Sequence, residues 1–186
     1  MKQIISIVLL AMLTGVTAAG QKTDDVKQSR QAVKQFFGQL KGELQSAMKA
    51  GGPVNAIEVC SEEAPAIARD VSKEKGLQIG RTSLKPRNPG NAPDQWEKAV
   101  LKEFEQRKAN GENPKKMEKH EIVEQNGQQV FRYMKAIPTG ELCLKCHGSD
   151  LDPAVSAKLE KLYPEDRATG YSKGDLRGAF TIIKDL

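Results

Sequence analysis

Apolar residues keep a helical spacing through the first part of this chain, and the period changes at Gly76. Over residues 24–50, Val26, Val33, Phe36, Phe37, Leu40, Leu44, Ala47 and Met48 recur in steps of three, four and seven. That spacing puts them on one face of a long amphipathic helix. Gly51-Gly52 ends the helix, and Pro53 stands where a new one can begin. Ile57, Cys60, Ala64, Ile67 and Val71 then form a second helical stripe that carries Cys60. Pro65 removes a backbone donor inside this stretch, which predicts a kink or restart just after Cys60.

Beyond Gly76 strand patterns appear, with helical stretches between them. Leu77, Ile79 and residues 81–84 read as a short strand, and the Pro-, Gly- and Asn-rich segment 86–93 as a loop. Residues 94–109 read as a third helix with Trp96, Val100, Leu101 and Phe104 turned inward, stopped by Asn110-Gly111. Two strands, 119–124 and 128–137, flank Asn126-Gly127, a strong hairpin signal. Residues 138–148 read as a loop, Asp152-Pro153 opens a short helix to Leu162, and Gly174-Asp175 turns into a last strand, 176–184. Hairpin-linked strands with helices to one side predict an α+β fold around a small antiparallel sheet.

The 186 residues suit one domain after a leader. Residues 1–19 have the parts of a signal peptide: Lys2, an apolar run from Ile4 to Leu13, and small residues at Val16-Thr17-Ala18-Ala19. The run is shorter than the ~20 apolar residues of a membrane span. The first cysteine, Cys60, is far from the cut, so no lipid anchor is indicated. The expectation is an exported, soluble, periplasmic domain over 20–186, with no membrane span after cleavage. A net charge of +5 without a long basic run gives no reason to expect nucleic acid as a partner.

Cys143-Leu144-Lys145-Cys146-His147 has the C-x-x-C-H spacing of c-type haem attachment. Two thiols three positions apart can reach the two vinyl groups of one porphyrin, and the adjacent imidazole then falls beneath the iron. Export agrees, since such haem is attached outside the bacterial cytoplasm. Three other readings fit less well. A redox dithiol usually opens a helix in a thioredoxin-like βαβ unit, and none precedes it. Zinc typically takes four N/S ligands, and only one other Cys and one other His are present. A plain disulfide leaves His147 without a role. The third cysteine, Cys60, faces inward. It is either a small core side chain or a thiolate on the iron, and the residues alone leave that open. His120, Met117 and Met134 are the other distal candidates. Arg81, Lys85 and Arg87 are candidate partners for the haem carboxylates, and Trp96 reads as core.

Three separated stretches carry a family resemblance: Cys60-Ser61-Glu62-Glu63-Ala64-Pro65-Ala66-Ile67-Ala68; Gly80-Arg81-Thr82-Ser83-Leu84-Lys85-Pro86-Arg87-Asn88-Pro89 with Asn91-Ala92-Pro93; and the C-x-x-C-H-G of 143–148. Gly170-Tyr171 and residues 174–180 also fit. The chain resembles, over about 24–186, the PAS-like c-type haem domains that occur alone or as extracytoplasmic parts of sensor kinases and chemoreceptors. The resemblance implies a PAS-like fold with a haem-bearing loop and one covalently attached haem c. It also implies axial ligation by His147 and by Cys60 from the N-terminal helical part. No kinase or methyl-accepting region accompanies the domain, so any signal passes to a separate periplasmic redox or signalling protein.

A thiolate ligand favours ferric iron and a low reduction potential relative to His/Met cytochromes. The leading expectation is a sensor in which reduction, NO or CO displaces Cys60 and shifts the helical segment. A plain electron-transfer cytochrome is the alternative. A peroxidase needs an open distal site with an acid–base residue, so no enzyme activity is expected. Self-association, if any, falls to the long first helix as a homodimer surface.

Overall fold

The computed structural model describes residues 18–186. The leader read at 1–19 lies almost wholly outside the described residues. Helix α1 (Ala18–Glu58) is broken at Gly51 and Gly52, whose backbones leave the helical region (φ −152° and 71°). The break divides it into arms 18–50 and 53–58, as the Gly-Gly-Pro signal predicts. A single π-turn, Val59–Glu63, follows and leads into α2 (Ala64–Lys75). The turn is the disturbance expected from Pro65. Pro65 has no N–H, its ring clashes with the carbonyl four residues back, and the turn widens until the Ala64 N–H bonds to Val59 O. Gly76, in the left-handed region (φ 63°), closes α2.

Four antiparallel strands follow: β1 (Gln78–Thr82), β2 (Glu118–Gln125), β3 (Gln128–Pro138) and β4 (Leu176–Asp185). They lie in the order β1-β4-β3-β2. The β2–β3 turn falls on Asn126-Gly127, both at positive φ. Between β1 and β2 runs α3 (Gln95–Ala109), held by a capping box between Asp94 and Glu97.

Strand alternation divides the sheet into two faces. Ile79, Phe131, Tyr133, Phe180 and Ile182 meet Val26, Ala32, Val33, Phe36 and Leu40 of α1 and Val71 of α2. On the other face Met134, Ala136 and Ala179 meet Val100, Leu101 and Phe104 of α3, with Met117 enclosed among them. Phe37, expected on the inner stripe of α1, is 48% exposed and reaches the core only with its ring edge against Phe180. It flanks Phe36 on a stripe one residue narrower than the spacing suggests.

The segment 138–148, expected as a loop, holds a two-turn helix, α4 (Glu141–His147). This corrects the haem-bearing loop to a haem-motif-bearing helix within the α+β, PAS-like architecture. α5 (Pro153–Leu162) then packs Val155 and Leu159 with Tyr163 against Ile57, in a third apolar cluster that takes in Cys146. Among the described residues, no helix is long and apolar enough to cross a membrane.

Candidate functional site

β3 delivers the chain directly into α4 through Thr139 and Gly140. Gly148 must follow His147, because a Cβ there would stand 2.7 Å from the Leu144 carbonyl oxygen. The helix end is clamped from outside: Tyr171 N donates to His147 O (2.9 Å), and Gly170 N to Gly148 O (3.0 Å).

That clamp also orients the imidazole. His147 Nδ1 lies 2.7 Å from Ala168 O. A carbonyl only accepts, so Nδ1 carries the proton and Nε2 keeps its lone pair. Burial, followed by the nearby Arg177 and Arg87 charges, pushes the His147 pKa well below its usual value. The ring is therefore neutral, the form that ligates iron, with its second nitrogen held by a carbonyl as metal-bound histidines usually are. Tyr171 stands edge-on to it, ring centroids 6.3 Å apart.

All three cysteines are unbridged thiols. Cys143 sits in the first turn of α4, its sulfur 3.4 Å from Gly140 N. Cys146 is turned into the α5 cluster, where burial raises its thiol pKa. Cys60, on the π-turn, is near enough to act electrostatically on Cys146, Arg81 and Tyr163. Two segments about eighty residues apart thus converge, and the three cysteines and His147 share one end of the molecule.

Arg81 and Arg87 join them. Arg81 lies over the Phe36 ring (5.8 Å) with its pKa lowered by burial. Arg87, only 7% exposed, binds Asp166 (Nε–Oδ2 2.9 Å) and, through Nη2, the Cys146 and Ala168 carbonyls. Those donors hold the protein around His147, which makes Arg87 a brace for α4 in addition to a local positive charge. Lys85 sits over the Tyr171 ring and donates to Thr169 O (2.5 Å).

The other distal candidates lie elsewhere. Met117 and Met134 are fully buried in the α3 cluster. His120 is on β2, the edge strand farthest from β1 and Arg81, and stacks on Phe131. Trp96, expected in the core, is half-buried with Arg132 over its ring. Three residues escaped sequence reasoning: Asp166, Ala168 as a carbonyl, and Arg177, whose Nε is 3.4 Å from His147 Nε2. Arg177 could have been suspected, since it falls within the 174–180 stretch that shares the resemblance.

Would these residues fit a haem? The donor chemistry matches: two unbridged thiols, a neutral imidazole whose unprotonated Nε2 lies 3.4 Å from Arg177 Nε, and a third thiol within electrostatic reach. Two half-buried arginines, Arg81 and Arg177, have no carboxylate in ion-pair range among the described residues, and an anionic cofactor would complement them. No group of three or more His, Cys, Asp and Glu side chains that could hold a bare metal ion occurs among the described residues.

The family model described as Tll0287-like: Tll0287 matches residues 14–184. Among solved structures, the chain is similar to one titled as the cyanobacterial heme-protein Tll0287. The two share 21% sequence identity at a TM-score of 0.63, covering 92% of this chain and 98% of that one. At that identity the likeness establishes the fold. No curated protein matches the chain.

Proposed function

Because the chain belongs to the Tll0287-like family, we propose that it is an exported c-type haem protein, with Cys143 and Cys146 attaching one haem and His147 and Cys60 holding its iron. The observation that carries this reading is the His147 ring, neutral and fixed through Ala168 O with Nε2 unprotonated, on the same short helix as two thiols. The heme-protein named among the solved structures supports it, as does the C-x-x-C-H spacing.

We propose further that the domain is a redox- or gas-responsive module. Haem would supply a redox-active iron that in its ferrous form takes small gases such as CO or NO. The chain's own contribution is Cys60 on a π-turn, between the Gly51-Gly52 break and Pro65. Such turns often mark functional positions, and one extra residue in a helix is a feature that can relax when a bond is released. A response needs differential affinity for the two states, and a ligand bond present in one and absent in the other provides it.

The test is an absorption spectrum of the reduced protein with and without CO, for wild type and Cys60→Ala. The expected result is a CO-shifted spectrum in both, with the oxidised spectrum of Cys60→Ala altered. A reduced spectrum indifferent to CO would reject the sensing role and leave an electron carrier. An unchanged oxidised spectrum in Cys60→Ala would reject Cys60 as ligand.

A further inference from the structure

Arg177 owes its position to a break in strand pairing. On β4, Gly178 faces Ile137 and Leu176 faces Pro138, so Arg177 is the residue left without a partner. Pro138 has no N–H to continue the ladder, and the unpaired residue bulges. A bulge re-aims a side chain that regular alternation would have placed elsewhere. Two contacts then pin the backbone. Ser83 Oγ donates to Arg177 O (2.8 Å). Gly178, at φ 153°, lies where a Cβ would stand 2.2 Å from Thr82 O, so β1 and β4 approach more closely here than any other residue permits.

The side chain aims at α4. Its Nε is 3.4 Å from His147 Nε2, its Nη1 is 3.2 Å from Ser83 Oγ, and its guanidinium lies over the Tyr171 ring at 5.4 Å. Of the arginines around His147, Arg87 alone has a carboxylate partner among the described residues, Asp166. Arg177 is therefore a positive charge held on the one lone pair of the imidazole, with no anion of its own.

A single lone pair serves one partner. Nε2 can accept from Arg177 or bind a metal, but not both. We propose that Arg177 is a positioning residue with two stations: a cap on His147 Nε2 in the haem-free chain, and a clamp on a haem carboxylate once the iron takes Nε2. The inference rests on the haem reading above. Because the bulge fixes its backbone, a displaced guanidinium stays beside α4, where an arriving anion would pair with it. The haem carboxylates are the anions that arrive with the group displacing it, and they suit the guanidinium fork. In the first station the cap holds the tautomer and shields Nε2 until haem is delivered.

The full chain with Arg177→Gln and with Arg177→Lys tests both stations. In haem-free protein, carbethoxylation of His147 by diethyl pyrocarbonate, followed by peptide mapping, reads the cap. The rate should rise several-fold in Arg177→Gln and less in Arg177→Lys, with His120 unchanged as an internal reference. Equal His147 rates in wild type and Arg177→Gln would overturn the cap. In haem-loaded protein the midpoint potential reads the clamp. It should fall in Arg177→Gln, since losing a nearby cation favours ferric iron, and be largely restored in Arg177→Lys at equal haem content. An unchanged potential in Arg177→Gln would overturn the clamp. If Arg177→Gln does not fold by circular dichroism, Arg177→Met, of similar length and uncharged, carries both readouts against wild type. If wild type takes up no haem, the haem reading fails and the clamp with it, while the carbethoxylation rates still judge the cap.

Discussion

Arg132 and Arg177 lie on neighbouring strands of one sheet, the first buried and the second half-buried, and they are treated in opposite ways. Arg132, 3% exposed, points to the α3 face. There it meets Asp94 (2.7 Å) and Glu97 (3.3 Å) and lies over Trp96 at 4.6 Å. Glu97 is tied down in turn by its capping box and by Thr181 Oγ1 (2.6 Å). At that end the cation has its anions within the protein. At the α4 end Arg81, Arg87 and Arg177 gather around a neutral histidine with one paired carboxylate, Asp166. Burying cations without anions costs stability, so a surplus of this kind is informative. A balanced cluster holds a fold together, whereas an unbalanced one awaits a ligand of opposite charge.

The comparison breaks first at Arg132. Arg132→Met leaves Glu97 buried without its cation, and urea unfolding should show a loss of about 3–5 kcal/mol. A loss under about 1 kcal/mol would mean the pairing is not structural. Gly178→Ala comes next. The added Cβ meets Thr82 O while the backbone stays at φ 153°, so a loss of about 1–3 kcal/mol is expected from strain, measured the same way. In contrast to Arg132, Arg81→Gln should change the stability of the haem-free chain by less than about 1 kcal/mol, because no carboxylate depends on it. A loss as large as that of Arg132→Met would erase the distinction between the two ends.

The smallest effect concerns pH, at the anchor that ties α1 to the sheet. Glu118 accepts from Arg30 and from Tyr133 Oη (2.8 Å). The Arg30 hydrogen bond, above all, draws the Glu118 pKa below its usual 4.5. A carboxyl with a depressed folded value contributes stability that is complete above about 4.5 and lost as pH falls through the folded value. The acid limb of the Tm–pH curve should therefore be shallower in Glu118→Gln than in wild type. Superimposable limbs would show that the pairing adds nothing.

Local signals made most of the fold legible. The Asn126-Gly127 turn, the Asp152-Pro153 helix start, the Gly51-Gly52 break and the Pro65 disturbance each depend on a few neighbouring residues, and all appear where those residues place them. The short helix α4 was not legible. Its seven residues carry a chemical motif rather than an apolar period, and its end is held by residues 168–171, some twenty positions away. Within the site, Cys143, Cys146, His147, Cys60, Arg81 and Arg87 were all named from sequence, and they converge at one end of the molecule. Arg177 was not, because its aim depends on a bulge opposite Pro138, a pairing between strands nearly forty residues apart. The bracing role of Arg87 was hidden for a similar reason, since Asp166 lies 79 positions away.

We propose that the end of the molecule with the surplus of cations takes a covalently attached haem. The most direct measurement is a pyridine haemochrome spectrum of the protein exported alongside a cytochrome c maturation system, taken after acidic acetone extraction and paired with intact mass. Haem that survives extraction, adds the mass of one group and is lost in Cys143→Ser with Cys146→Ser is the predicted result. A chain of unmodified mass with no haemochrome bands would rule that attachment out.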